Sequence, residues 1–272
     1  MKKIRNFIAP LIMGAAAMAV SSGAWAAQIT QLGFILDASG SVSTTNYNLM
    51  RSGLSAALDG LPVDGSVEIT VTQFSTTTST VVAPVILDAA SLPGIQSAIL
   101  NHAKITGNTH TGLALTSMTD LLKSSATFSD PNKRGTLINM LTDGVPCCDT
   151  TATQDALDGA AYAASEGIDA LSIEAIGSGV TNASALALMQ DLAFPGPATI
   201  LDVNQTVGIP DPMGGSWVIP VSDFSALAPV LAAKVIASVT PGPSPVPEPA
   251  TLLLLSVGLM GVGFRAVRRK AV

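Results

Sequence analysis

Apolar positions along this chain switch between two periods. Leu32–Leu36 is an unbroken apolar run that stops on Asp37, and Val67–Phe74 alternates residue by residue. Lys133–Thr142 is a mostly apolar run that stops on Asp143-Gly144, and Ile168–Ile176 and Ser216–Pro220 are further short apolar runs. Each predicts a strand. Thr80–Leu87 is β-branched and follows the polar turn Ser75–Ser79, which predicts a hairpin; Pro84, lacking an N–H, puts that strand at a sheet edge. Between these runs, apolar residues recur at helical spacing over Thr44–Leu58, Ala90–His102, Gly112–Lys123, Thr151–Glu166 and Asn182–Ala193, and from Ser222 to about Val239. In the second of these helices Ser91 is placed to cap and Pro93 falls in the first turn. In the third, Leu113, Leu115, Met118, Leu121 and Leu122 are read as the apolar face.

Strands alternating with helices predict an α/β fold: a doubly wound, mostly parallel sheet with one antiparallel edge strand and helices on both faces. A site in such a sheet lies at the carboxyl ends of the strands, near the point where strand order reverses. Phe194–Gly215 breaks the rhythm with Pro195, Pro197, Pro210, Pro212, Gly214 and Gly215, and reads as an insertion with room for a small strand in Ala198–Val203. Because it leads into a strand, it is expected on the side opposite the carboxyl-end loops.

Three polar loops fall at those carboxyl ends. The first carries Asp37, Ser39 and Ser41, the second Thr109, and the third Asp143. Two carboxylates and three hydroxyls suit a hard six-coordinate dication: Mg²⁺, or Mn²⁺ or Ca²⁺. The plainer alternative for the first loop is a Ser-rich turn in which Asp37 caps the next helix. His110 sits beside Thr109, either at a ligand rim or as a loop side chain bonded to backbone. Cys147 and Cys148 lie four and five residues past Asp143, at the same rim. Neighbouring Cα atoms about 3.8 Å apart are closer than a disulfide prefers, so a vicinal ring, two free thiols and bridges to another chain all stay open. The ligand set nearby is too thin for zinc.

Composition narrows the partners. The chain of 272 residues has a formal net charge of −6, but seven of its 13 Lys+Arg lie near the two ends. Residues 27–245 hold 6 basic and 18 acidic residues, a charge near −12, which argues against a nucleic-acid partner. With two histidines placed as His102 and His110, no nucleophile–base pair can be assembled, and an enzyme is not expected.

Both ends read as address labels. Lys2, Lys3 and Arg5, the apolar run Phe7–Val20 and the small residues around Ala26 predict a signal peptide over 1–26, with an uncleaved anchor as the alternative. Thr240–Pro249 is a Pro-rich extended spacer. Ala250–Phe264 is apolar, and Arg265, Arg268, Arg269 and Lys270 follow. As a helix that run reaches about 22 Å, short of the roughly 30 Å hydrocarbon core, so it serves as a marginal membrane segment or a sorting signal.

Pro247-Glu248-Pro249, the short apolar run and the arginines together resemble the PEP-CTERM sorting signal of Gram-negative bacteria. That resemblance implies processing by an exosortase-type enzyme and delivery to the cell surface or extracellular matrix, with transient or permanent inner-membrane anchoring by the C-terminal helix. The segments LGFILDASGSV, TGNTHTGLAL and LINMLTDG resemble, in order and spacing, the three motifs of the von Willebrand factor type A (VWA) domain, over residues 27–239. The resemblance implies a metal-ion-dependent adhesion site (MIDAS) made of Asp37, Ser39, Ser41, Thr109 and Asp143. It further implies adhesion to an acidic group on a protein or polysaccharide. The alternative is a structural matrix component whose metal site serves stability.

Overall fold

The computed structural model describes residues 28–240. The predicted signal peptide, the Pro247-Glu248-Pro249 motif, the apolar run and the basic cluster lie outside the described residues. No helix among the described residues is long and apolar enough to cross a membrane; the predicted membrane segment is not among them.

Seven strands form one sheet: β1 (Thr30–Asp37), β2 (Asp64–Phe74), β3 (Thr78–Asp88), β4 (Gly135–Thr142), β5 (Ala170–Ile176), β6 (Thr199–Ile200) and β7 (Trp217–Val221). Their order is β3-β2-β1-β4-β5-β7-β6, and every pairing is parallel except β2–β3. Six helices cover it: α1 (Thr44–Ala57), α2 (Leu92–Asn101), α3 (Thr111–Lys123), α4 (Ala152–Ser165), α5 (Ala183–Leu192) and α6 (Leu227–Val239). The fold class is the one the periodicity predicts.

Burial on both faces explains why β1 reads as a continuous apolar run. Leu32, Phe34 and Leu36 join the core under α1, α2 and α6, while Ile35 joins the core under α3, α4 and α5. The chain leaves β1 and builds β2 and β3 on one side, then returns to lay β4 on the other. The strand order therefore reverses between β1 and β4, where Asp37 and Asp143 emerge side by side. α3 and α4, which flank this point, meet backbone to backbone. A Cβ on Gly112 would lie 2.2 Å from the Asp155 carbonyl oxygen, and one on Gly159 2.8 Å from that of Gly112. The pair of glycines thereby sets where the N-terminus of α3, and the loop before it, can sit.

Four expectations change. Leu113 does not belong to the apolar face of α3; it is 44% exposed, while Leu115, Met118 and Leu122 point inward. Ser91 stands at the start of α2 without capping it, because its hydroxyl donates to the Ile86 carbonyl, and the Asp88 carboxylate takes the N–H groups of Ala90 and Ser91 instead. Ser222 and Asp223 precede α6 in a turn, closed by Asp223 accepting from the N–H groups of Ser225 and Ala226. The segment 194–215 is not confined to the side away from the carboxyl-end loops. It supplies β6 and continues along β7: Leu201 N–H donates to Val218 O, Asn204 N–H to Pro220 O, and Ser222 N–H to Asn204 Oδ1. Parallel pairing carries it up to the carboxyl end of β7 before it turns back to Pro210, whose carbonyl accepts from the Trp217 indole.

One ion pair is sealed in the core. Lys234 of α6 meets Glu174 of β5, with neither side chain exposed, and the ammonium lies 5.3 Å from the centre of the Trp217 ring. Burial pushes the Glu174 carboxyl up and the Lys234 ammonium down from their usual values, and each partly restores the other. Removing one partner strands a charge. Lys234→Ala should cost about 3–5 kcal/mol in urea unfolding, while Lys234→Met with Glu174→Leu should cost little or nothing. Gly112→Ala should cost about 1–3 kcal/mol by forcing α3 off α4, measured in the same way.

Candidate metal centre

Asp37 ends a strand with no exposed residue, so its carboxylate arrives fully buried. Such a group needs hydrogen bonds to be tolerated. Its Oδ1 accepts from the Ser39 N–H at 2.8 Å, and its Oδ2 from the Thr142 hydroxyl of β4 at 2.6 Å. Asp37 therefore does not cap α1; Ser43 does, its hydroxyl accepting from the Asn46 N–H. The turn after β1 is tied down on two sides, by Ala38 N–H to Phe74 O and by Gly40 N–H to Gly107 O, both at 2.8 Å. Gly107 has φ of +146°, and a Cβ there would lie 2.2 Å from Thr76 Oγ1, so only glycine fits.

These ties bring the predicted oxygens together. The Ser39 and Ser41 hydroxyl oxygens are 2.9 Å apart, and Ser41 donates to Asp143 Oδ1 at 2.6 Å. Thr109 and Ser41 flank Gly144, at which a Cβ would lie 3.5 Å from Thr109 Oγ1 and 3.7 Å from Ser41 Oγ. All five residues thus converge at the reversal point. Asp37, Ser39 and Thr109 are buried, while Ser41 is exposed and Asp143 half-buried, so the open side of the cluster lies between the last two.

The donor set fits a small hard dication. The Ser39 and Ser41 hydroxyls share a hydrogen bond at 2.9 Å, a spacing that neighbouring ligands of an octahedral ion at about 2.0–2.1 Å can also adopt. The donors are hydroxyls with two carboxylates, and among the described residues no three His, Cys, Asp or Glu side chains gather into a metal-binding group. Electrostatics agree with the geometry. Burial holds the Asp37 carboxyl above its usual value, against the bonds from Ser39 and Thr142, and the Asp143 charge adds to the rise. Burial also raises Asp143, against Ser41 and Lys104. The pair is short of positive charge.

Lys104 is the nearest cation, yet it spends its N–H groups on backbone. Its ammonium donates to the carbonyls of Ala38, Ser39 and Ile105 at 2.7, 3.0 and 3.1 Å. Burial lowers its pKa, and the charges of Asp37 and Asp143 oppose that. Lys104 and Thr142 are the two site residues the motifs do not name. Each has a trace in the sequence: Lys104 is the sole basic residue between Arg51 and Lys123 apart from histidine, and Thr142 immediately precedes Asp143.

The rim residues are placed close by. Cys147 and Cys148 are joined in a vicinal disulfide, and Cys148 has φ of +85°. Cys147 N–H donates to Thr109 O at 3.3 Å. His110 Nε2 lies 3.8 Å from Asp149 Oδ2, and its backbone N–H donates to Ser75 O. His102 is elsewhere, at the end of α2, with Nε2 3.0 Å from Ser79 Oγ.

A family model of the von Willebrand factor type A domain matches residues 31–202, and one of the PEP-CTERM protein-sorting motif matches residues 245–270. No curated protein matches the sequence. Proximal thread matrix protein 1 from the mussel byssus is similar in structure, with a TM-score of 0.55 at 17% identity over 78% of this chain and 48% of its own. Another structure of that protein, at 18% identity and a TM-score of 0.53, is described as having a zinc-occupied MIDAS motif. The pilus adhesin SpaC from Lactobacillus rhamnosus GG has a TM-score of 0.56 at 13% identity over 77% of this chain and 31% of its own. This chain therefore spans about half the length of the mussel protein and about a third of the adhesin. At these identities the likeness is one of fold. The family match covers more than half of the sequence, and with the topology described above it establishes that the chain belongs to the von Willebrand factor type A domain family and carries a PEP-CTERM sorting motif.

Proposed function

We propose that this protein is an adhesion module of the cell surface or extracellular matrix. It binds an acidic group of a protein or polysaccharide partner through a dication held by Asp37, Ser39, Ser41, Thr109 and Asp143. The observation that carries this reading is the convergence of five hard oxygen donors around two carboxylates that, among the described residues, form no ion pair with a cationic side chain. Asp37 is the fixed anchor, held by Ser39 and Thr142. Ser41 and Asp143 border the open side, where a partner approaches. A dication bound there supplies the net positive centre that a partner's carboxylate requires. The PEP-CTERM motif marks an exported, surface-directed protein. On our reading the apolar run 250–264 holds it in the inner membrane until an exosortase-type enzyme acts.

A second reading, a matrix component whose cation serves stability, draws on the same bonds, since Asp37 also cross-ties β1 to β4 through Thr142. Capture of the partner decides between them. Mg²⁺ at a hundred times its dissociation constant should stabilise the wild type by about 2.7 kcal/mol, and Asp37→Ala should abolish the effect. Retention of matrix material that persists in chelator and in Asp37→Ala would favour the structural reading; loss in both would favour adhesion.

The pH dependence of the metal-free site has a definite sign. Both folded carboxyls sit above their unfolded values, so once pH passes the unfolded value the folded state still binds protons that the unfolded state has lost. The contribution of these two groups to stability should therefore fall as pH rises from about 4, the unfolded carboxylate value, through their folded values. The lowered groups Asp64, Asp88 and Asp223 act in the opposite sense, adding stability as pH rises through about 4. Asp37→Asn should flatten the slope relative to wild type and remove the Mg²⁺ response, as read from urea midpoints across that range.

A further inference from the structure

The loop that begins at Asp143 meets the loop after β1 at one point and the loop that carries Thr109 at three. Asp143 accepts from Ser41, and Gly144 packs between the hydroxyls of Thr109 and Ser41. Cys147 N–H donates to Thr109 O, and the Asp149 carboxylate faces the His110 imidazole. The Cys147–Cys148 ring lies between the last two points, so both contacts issue from the ring or its immediate neighbour. Cys148 is exposed, Cys147 is half-buried, and Cys148 holds a positive φ that side-chain-bearing residues rarely adopt. The covalent ring and this positive φ stand directly beside the Cys147 N–H that donates to Thr109.

We propose that Cys147–Cys148 is a redox modification site for dithiols that sets the affinity of the metal centre; this rests on the reading of Asp37, Ser39, Ser41, Thr109 and Asp143 as its ligands. A dithiol thiolate attacks the exposed Cys148 sulfur, which breaks the protein S–S bond and forms a mixed disulfide. The second thiol of the reagent then displaces Cys148 and closes a cyclic disulfide. Two electrons and two protons pass to the protein, leaving Cys147 and Cys148 as thiols and the reagent oxidised. With the ring open, residue 148 is free to leave the positive-φ region. The Cys147–Thr109 bond and the Asp149–His110 contact then loosen together, and with them the position of Thr109. The oxidised protein is the tight binder, and the reduced one the weak binder.

The test titrates Mg²⁺ into the full chain by calorimetry, before and after dithiothreitol. Mg²⁺ prefers oxygen and ignores the thiols produced. Reduction should weaken Mg²⁺ binding about tenfold, the size of losing a group that orients a metal ligand. Cys147→Ser with Cys148→Ser should bind like the reduced wild type and not respond to dithiothreitol. Equal affinities in the oxidised and reduced wild type would overturn the proposal. If neither state binds Mg²⁺, the ligand assignment fails, and amide exchange still reads the clasp. Faster exchange over 107–112 on reduction supports the mechanical coupling, and unchanged exchange overturns it.

Discussion

A carboxylate with no access to solvent stands at the end of the central strand, and much of the surrounding structure follows from having to keep it there. An ionised group in that position is strongly disfavoured unless hydrogen bonds replace its water. Asp37 obtains them from the backbone of its own turn and from the hydroxyl of a neighbouring strand. The second requires β4 to lie beside β1, because the parallel pairing of these strands brings Thr142 level with Asp37. The turn must also be held, and it is: β2 binds Ala38, Gly107 binds Gly40, and Lys104 binds the carbonyls of Ala38 and Ser39. Even so, burial leaves the carboxyls of Asp37 and Asp143 above their ordinary values. A dication held there would offset that cost, which is why the cluster is proposed as a metal site.

The second buried acid resolves the same difficulty differently. Glu174 has its own ammonium in Lys234, fully enclosed between β5 and α6, and has no opening to a partner. Comparing the two shows why one acid belongs to a site and the other to the core. At Glu174 the counter-charge is covalently part of the fold. At Asp37 the nearest lysine gives its donors to carbonyls, and exposed Ser41 leaves one side of the cluster open.

The fold was legible because it depends on local pattern, and the strand ends marked the loops whose proposed ligands the structure brings together; Thr109, between two helices, was singled out by its motif. A strand buried on two faces must be apolar throughout, and its abrupt end on Asp37 or Asp143 marks where the loops begin. What was not legible depends on contacts between distant segments. Lys104 reaches back 66 residues to Ala38, a distance that no periodicity encodes. Thr142 sits inside a strand pattern, where its hydroxyl looks like any other β-branched side chain. The path of 194–215 depends on pairing with β7, whereas its prolines announce only interruption. Leu113 is a different case, because helical geometry alone shows that residues two apart do not share a face. Its exposure beside Leu115 was therefore readable from spacing.

The same topology separates the site from the chain's route to its sorting motif. α6 begins after the carboxyl end of β7 and runs back toward the amino ends of the strands. There Arg134, just before β4, donates to the carbonyls of Ser238 and Thr240 and pairs with Asp211. Residue 240 thus leaves the domain at the end of the sheet opposite Asp37 and Asp143. The proposed adhesion face and the point where the chain leaves the described domain lie at opposite ends of the sheet. The separation follows from an even simpler constraint: in a parallel sheet every strand delivers its carboxyl end to the same side, and every returning helix ends on the other.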